Sequence, residues 1–173
     1  MKQTLALLVV ITTGLISCAD QEPSVQVNAV DYQVADQASL EKRLQARNAQ
    51  FAKDFTAFKK AHSHAFSTQK PVTEAELKKL HMHAVGATAL KPTKEAYCNM
   101  MNGYFSDIYR LGHFNLAYIQ NVTVLDRAAE DAQENFANPD AFYKLVMERA
   151  TTYRQAQQLM GYGCNLKAAL QLH

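Results

Sequence analysis

The sequence predicts an all-α fold, a helical bundle of four to five helices. Three observations carry this reading. In each long segment apolar side chains recur at spacings of three, four and seven, the signature of a helix with one buried face. The segments are separated by residues that cap or break helices, among them Pro71, Pro92, Asn138-Pro139 and Gly161-Tyr162-Gly163. No segment sustains the apolar-polar alternation of a half-buried strand.

The first predicted helix covers residues 36–66. Leu40, Leu44, Phe51, Phe55, Phe58 and His62 form its stripe, and Lys and Arg fill the positions between them. A loop containing Pro71 follows. The second predicted helix, residues 73–90, opens on Thr73-Glu74-Ala75-Glu76, in which the Thr hydroxyl accepts from a free backbone N–H and Glu76 reaches back. Lys91-Pro92 stops it.

The third predicted helix starts near Thr93 and carries the longest seam: Tyr97, Met101, Tyr104, Ile108, Leu111, Asn115, Tyr118, Val122 and Leu125. Phe105, Leu116 and Ile119 widen it, which suits the centre of a bundle. The segment either runs on to Asn135 or breaks near Asn121-Val122-Thr123. The last long helix starts with Asn138 as N-cap and Pro139 in the first turn. It buries Phe142, Leu145, Val146, Tyr153, Ala156, Leu159 and Met160, and ends at the glycines. Residues 166–172 form a short C-terminal turn.

Ahead of the bundle, residues 1–17 have a Lys2 start, an apolar run from Leu5 to Ile11, and small residues before Cys18. That is the layout of a secretory signal peptide, and the apolar run is shorter than the roughly 20 residues a spanning helix needs. Leu15-Ile16-Ser17-Cys18 resembles the lipobox of bacterial lipoproteins. The resemblance covers only the leader and the cysteine. It implies cleavage before Cys18, diacylglycerol on its thiol, and an acyl chain such as palmitate on the new amino group, two anchors that together hold stably to a membrane. Ala19 rather than Asp follows the cysteine, which by the family's sorting pattern implies an outer-membrane lipoprotein facing the periplasm. Residues 18–31 then read as lipidated cysteine and tether, and 32–173 as the bundle domain.

Removing residues 1–17 leaves 156 residues, enough for one domain with its own core. With Cys18 lipidated, Cys98 and Cys164 remain, and an oxidising compartment implies one disulfide between them. Two buried free thiols are the alternative. A bridge would close a loop of about 65 residues, worth roughly 4 kcal/mol in the chain-entropy model. The net charge of +2 gives no global field for nucleic acid, and none is expected as a partner.

No nucleophile elbow, phosphate loop, metalloprotease helix or redox Cys pair occurs, so no residue is singled out as catalytic. Asp126, Glu130, Asp131 and Glu134 read as a solvated acidic face. His62, His64, His81 and His83, in two His-x-His pairs, are the candidates for a Zn or Cu site, with His113 or Met82 nearby. Residues two apart do not share a helix face, so a site would need one His from each pair, and a packed His62 is the competing reading.

Residues 32–95 carry eleven Lys/Arg against six Asp/Glu, so the first two helices are basic. Lys59, Lys60, Lys78 and Lys79 are candidate contact residues there. Tyr109 and Arg110, off the main seam of the third helix, are candidates for an exposed contact. The leading expectation is a lipid-anchored envelope protein that acts by contact with another envelope protein, as an accessory subunit, a pilotin-like helper or an immunity-type protein. The runner-up is a binding module for a metal ion or an anionic envelope ligand, and an enzyme ranks third. Beyond the covalent lipid no cofactor is expected.

Overall fold

The computed structural model describes residues 27–63, 75, 91–120, 122–124, 127–128, 131–160 and 163–172. The predicted signal peptide, Cys18, most of the predicted tether and nearly all of the second predicted helix, with Lys78, Lys79, His81, Met82 and His83, lie outside them, as does His64.

The described residues form an all-α bundle. A 3-10 turn, Ala29–Asp31, opens it, capped by the Asn28 side chain, which accepts from the Val30 N–H at 3.2 Å. Helix α1 is Gln37–Ala61. Asp36 caps it, accepting from the Ser39 N–H at 2.7 Å, and that hydrogen bond holds the Asp36 carboxyl below its ordinary range. Leu40, Leu44 and Phe58 are buried and Phe51 and Phe55 half-buried, the stripe the spacing predicts.

Helix α2, Lys91–His113, is the axis of the molecule, with Pro92 in its first turn. It packs against α1 antiparallel: Phe58 meets Tyr97 at 5.9 Å, Phe51 stacks on Tyr104 at 4.2 Å, and Arg47 reaches Asp107. The other side of α2 meets α3 (Ala132–Ala137), α4 (Pro139–Arg149) and α6 (Leu166–Ala169). Helix α5, Thr151–Met160, follows α4 directly. Tyr97, Phe105, Tyr109, Phe136, Phe142 and Tyr153 are almost fully buried and form an aromatic spine, with Phe105–Tyr153 centroids 5.0 Å apart and Tyr109–Phe142 5.3 Å. Burial disfavours the phenolate, so the Tyr109 hydroxyl is pushed up to about 12, and those of Tyr97 and Tyr153 are also raised.

The Cys98–Cys164 disulfide forms, with Cα atoms 4.8 Å apart across a separation of 66 residues. It ties the first turns of α2 to the segment after α5. Asn165, next to Cys164, takes a left-handed conformation (φ 44°), which Asn tolerates better than most residues. The Cys164 carbonyl accepts from Asn102, whose own carbonyl oxygen takes the Tyr153 hydroxyl at 3.1 Å.

Two expectations are corrected. The long third helix stops at His113 rather than running to Leu125 or Asn135. The Asn115 side chain takes the Leu111 carbonyl at 2.8 Å and the chain turns through residues 114–120. Thr123–Val124 and Arg127–Ala128 then pair as a two-residue antiparallel ladder, Thr123 opposite Ala128. Ile119 and Val122 are still buried, so the apolar spacing marked core positions on a backbone that is not helical there. The last long helix is two, broken at Ala150 (φ −85°, ψ 65°), ahead of the β-branched pair Thr151-Thr152. Of the acidic stretch, Asp131 and Glu134 are exposed beside buried Ala132 and Phe136, and Asp126 and Glu130 lie outside the described residues.

Candidate functional site

Helix α1 presents three faces, and they follow from its sequence at about 100° per residue. Its core face is the Leu40–Phe58 stripe. Beside that runs a second heptad series, Arg43, Arg47, Gln50, Asp54, Ala57 and Ala61. It faces Ala96, Met100, Gly103 and Asp107 of α2 across a furrow along one side of the helix pair. Opposite the core lies a third series, Lys42, Ala46, Ala49, Lys53, Thr56 and Lys60, all exposed.

Arg47 divides the furrow. Its Nε donates to Asp107 Oδ2 at 2.8 Å, Nη1 lies 3.6 Å from Asp54 Oδ2, and the guanidinium stands 5.5 Å over the Tyr104 ring. One basin, about 480 Å³, is polar and lies between Asp31, Tyr32, Arg43, Arg47, Gln50 and Asp107. The other, about 500 Å³, is floored by Phe58, Met100 and the small residues Ala57, Ala61, Ala96 and Gly103, with Arg47, Asp54, His62 and Asn99 at its rim. A Cβ placed on Gly103 would meet nothing within 4 Å, so the middle of this basin is open.

The polar basin has a structural duty. It seats the segment that leads into α1. Arg43 Nη2 donates to the Asp31 carbonyl at 2.6 Å, and the Tyr32 hydroxyl donates to Asp107 Oδ1 at 3.3 Å. Arg110 stands 5.9 Å over the Tyr32 ring. Buried Asn115 completes the clamp, accepting from the Val34 N–H at 2.9 Å and donating to the Tyr32 carbonyl at 2.9 Å. Asn115 thus fixes a crossing segment, a role beyond the helix register its seam position suggests. Residues 29–31, at the end of the predicted tether, are held against the domain by these contacts.

The predicted site residues fall into different surroundings. Tyr109 is fully buried against Phe142 and His113, which corrects its reading as an exposed contact: α2 is covered on both sides, so leaving the main seam does not bring a residue to solvent. Arg110 is half-buried on Tyr32 rather than free at the surface. Lys59 is buried at 4% exposure, while Lys60, 100° further round, is exposed. His62 packs on Phe58 with ring centroids 4.8 Å apart, and its Nδ1 lies 3.0 Å from Thr93 Oγ1. Among the described residues no group of three His, Cys, Asp or Glu side chains is placed to hold a metal ion. His113 Nδ1 donates to the Phe136 carbonyl at 2.9 Å.

Sequence reasoning missed the furrow. Its signal lies in Ala57, Ala61, Ala96 and Gly103, small residues beside the apolar stripes. It also missed the burial of Lys94, whose ammonium pKa is lowered by desolvation. Compared with known protein families, curated proteins and solved structures, the chain matches none.

Proposed function

We propose that this protein is a lipid-anchored envelope protein that works by binding another envelope protein, and that the partner inserts an α-helix into the open basin between α1 and α2. The observation that carries the reading is the shape of that basin. Two antiparallel helices leave a lengthwise furrow, half-buried Met100 offers apolar area beside buried Phe58, and Gly103 with three alanines lets a third backbone come close. An Arg–Asp pair at the rim supplies polar contacts, the arrangement of apolar centre and polar edge usual at protein interfaces. The anchor at Cys18 rests on the lipobox resemblance, and it would keep the domain at a membrane face where its partner also resides.

The test uses tagged protein recovered from crosslinked envelopes of its own host. Wild-type protein carries one partner in near-stoichiometric yield, and Gly103→Gln, which fills the basin without touching the core, loses it. Equal recovery by both proteins would contradict the basin as the contact. Cys18→Ala should move the protein out of the membrane fraction, and continued membrane association of that variant would count against the anchor.

A further inference from the structure

Apart from Ala46, which edges the polar basin, the third face of α1 is unaccounted for by the core or by the furrow. Its members, Lys42, Ala46, Ala49, Lys53, Thr56 and Lys60, follow spacings of four and three, so they form one straight line along the helix. All six are exposed. The three lysines fall within about 20° of one another and span roughly 27 Å of helix axis. No carboxylate lies in the line: Glu41 and Asp54, the acidic residues of α1, are on its flanks. The residues between the lysines are small, so nothing shields the charges or holds a flat surface away. None of the three takes part in an ion pair identified among the described residues, whereas Arg47 and Lys167 do.

From this line we propose that the outer face of α1 lies on the anionic lipid surface of the membrane to which the chain is tethered, an inference that rests on the anchor at Cys18. Two observations commit it to lipid. The complementary surface for a straight row of cations with no interspersed acid is an extended, uniformly negative one, which a bilayer of mixed anionic headgroups presents. The tether also brings the membrane to this face. Cys18 is nine residues before Val27, a reach of at most about 32 Å. The chain enters the domain where Arg43 holds the Asp31 carbonyl, one residue from Lys42. Lys42 therefore lies at the axial level of that entry, which is on the furrow side, about 90° round the helix, and the outer face is within the tether's reach from there.

The protein purified in detergent is mixed with vesicles of phosphatidylcholine alone, or of phosphatidylcholine with phosphatidylglycerol. Flotation with the neutral vesicles reads the lipid anchor by itself, since inserted acyl chains need no charge. Labelling of lysine amines by a water-soluble acylating reagent, mapped by mass spectrometry, reads the face. On anionic vesicles Lys42, Lys53 and Lys60 should be labelled several-fold more slowly than on neutral ones, with Lys144 on α4 unchanged and the difference erased by high salt. The variant K42Q/K53Q/K60Q alters only exposed side chains. It should lower the preference for anionic over neutral vesicles on the order of a hundredfold, about fivefold per lysine. Equal labelling on both vesicle types would overturn the proposal, whether or not the protein floats. Protection seen on native envelopes but not on protein-free anionic vesicles would assign the face to an acidic protein and overturn it equally. Failure to float with neutral vesicles, with lysine protection intact on anionic ones, would remove the anchor and leave the charged face standing.

Discussion

Two glycines of α2 make opposite demands. At Gly112 a Cβ would overlap the Phe136 ring, so the helix end and α3 approach as closely as they do only because that position lacks a side chain. At Gly103 a Cβ would meet open space. Gly112→Ala should therefore destabilise the domain by roughly 1–3 kcal/mol through overpacking. Gly103→Ala should stabilise it by about 0.5–1 kcal/mol, the ordinary gain of replacing glycine inside a helix. Urea unfolding of the two variants checks both signs, and a destabilised Gly103→Ala would show that the basin floor is not open. Neither role is visible in the sequence, because a glycine in a helical pattern looks the same whether a neighbour presses on it or not.

At the scale of elements, what was legible depended on whether the deciding interaction was local. The cap of α4 was: Asn138 accepts from an N–H three residues on, and its residue type announces the role; Asp36 caps α1 in the same way, where the sequence reading marks only the start of the helical pattern. The end of α2 was not. The seam continues to Val122, and the helix gives way because Asn115 binds across 81 and 83 residues of sequence to Val34 and Tyr32, which spacing alone does not reveal. The break at Ala150 likewise separates core residues, Phe142, Leu145 and Val146 on one side and Tyr153 and Ala156 on the other. Asn115→Ala removes three hydrogen bonds and leaves the Val34 N–H without its acceptor. It should cost about 1–3 kcal/mol and expose residues 27–36 to limited proteolysis well before global unfolding. An unchanged cleavage pattern would mean that the segment is held by other contacts.

For the whole molecule, the fold class and the disulfide were legible because both rest on patterns that survive local errors: buried positions recurring along the chain, and two cysteines left once the lipobox cysteine is set aside. The candidate site was far less so, since a furrow belongs to two helices and to neither sequence alone. Tyr109 and Lys59 illustrate the difficulty: the spacing along one helix offers both as contacts, Tyr109 is covered by Phe142 of α4, and Lys59 is buried. Reducing the Cys98–Cys164 bridge should remove up to roughly 4 kcal/mol, seen as a lower urea midpoint for Cys98→Ser/Cys164→Ser than for the oxidised protein. The buried tyrosines set an alkaline limit. Their phenols ionise near pH 10 when unfolded and only at higher pH when folded, with Tyr109 at about 12. The stability they contribute is complete below pH 10 and is lost as pH rises towards and through the folded-state values. Tyrosinate absorbance and loss of helicity should thus rise together above pH 10, whereas full tyrosine ionisation with the helices intact would contradict the buried spine.

The open basin between α1 and α2 is proposed to receive another envelope protein. A photoreactive amino acid placed at Asn99, exposed on the rim of that basin, tests it in intact host cells. One dominant adduct to a single envelope protein is expected, absent when the same group is placed at Lys144 on α4. No adduct from Asn99, or the same adducts from both positions, would contradict it.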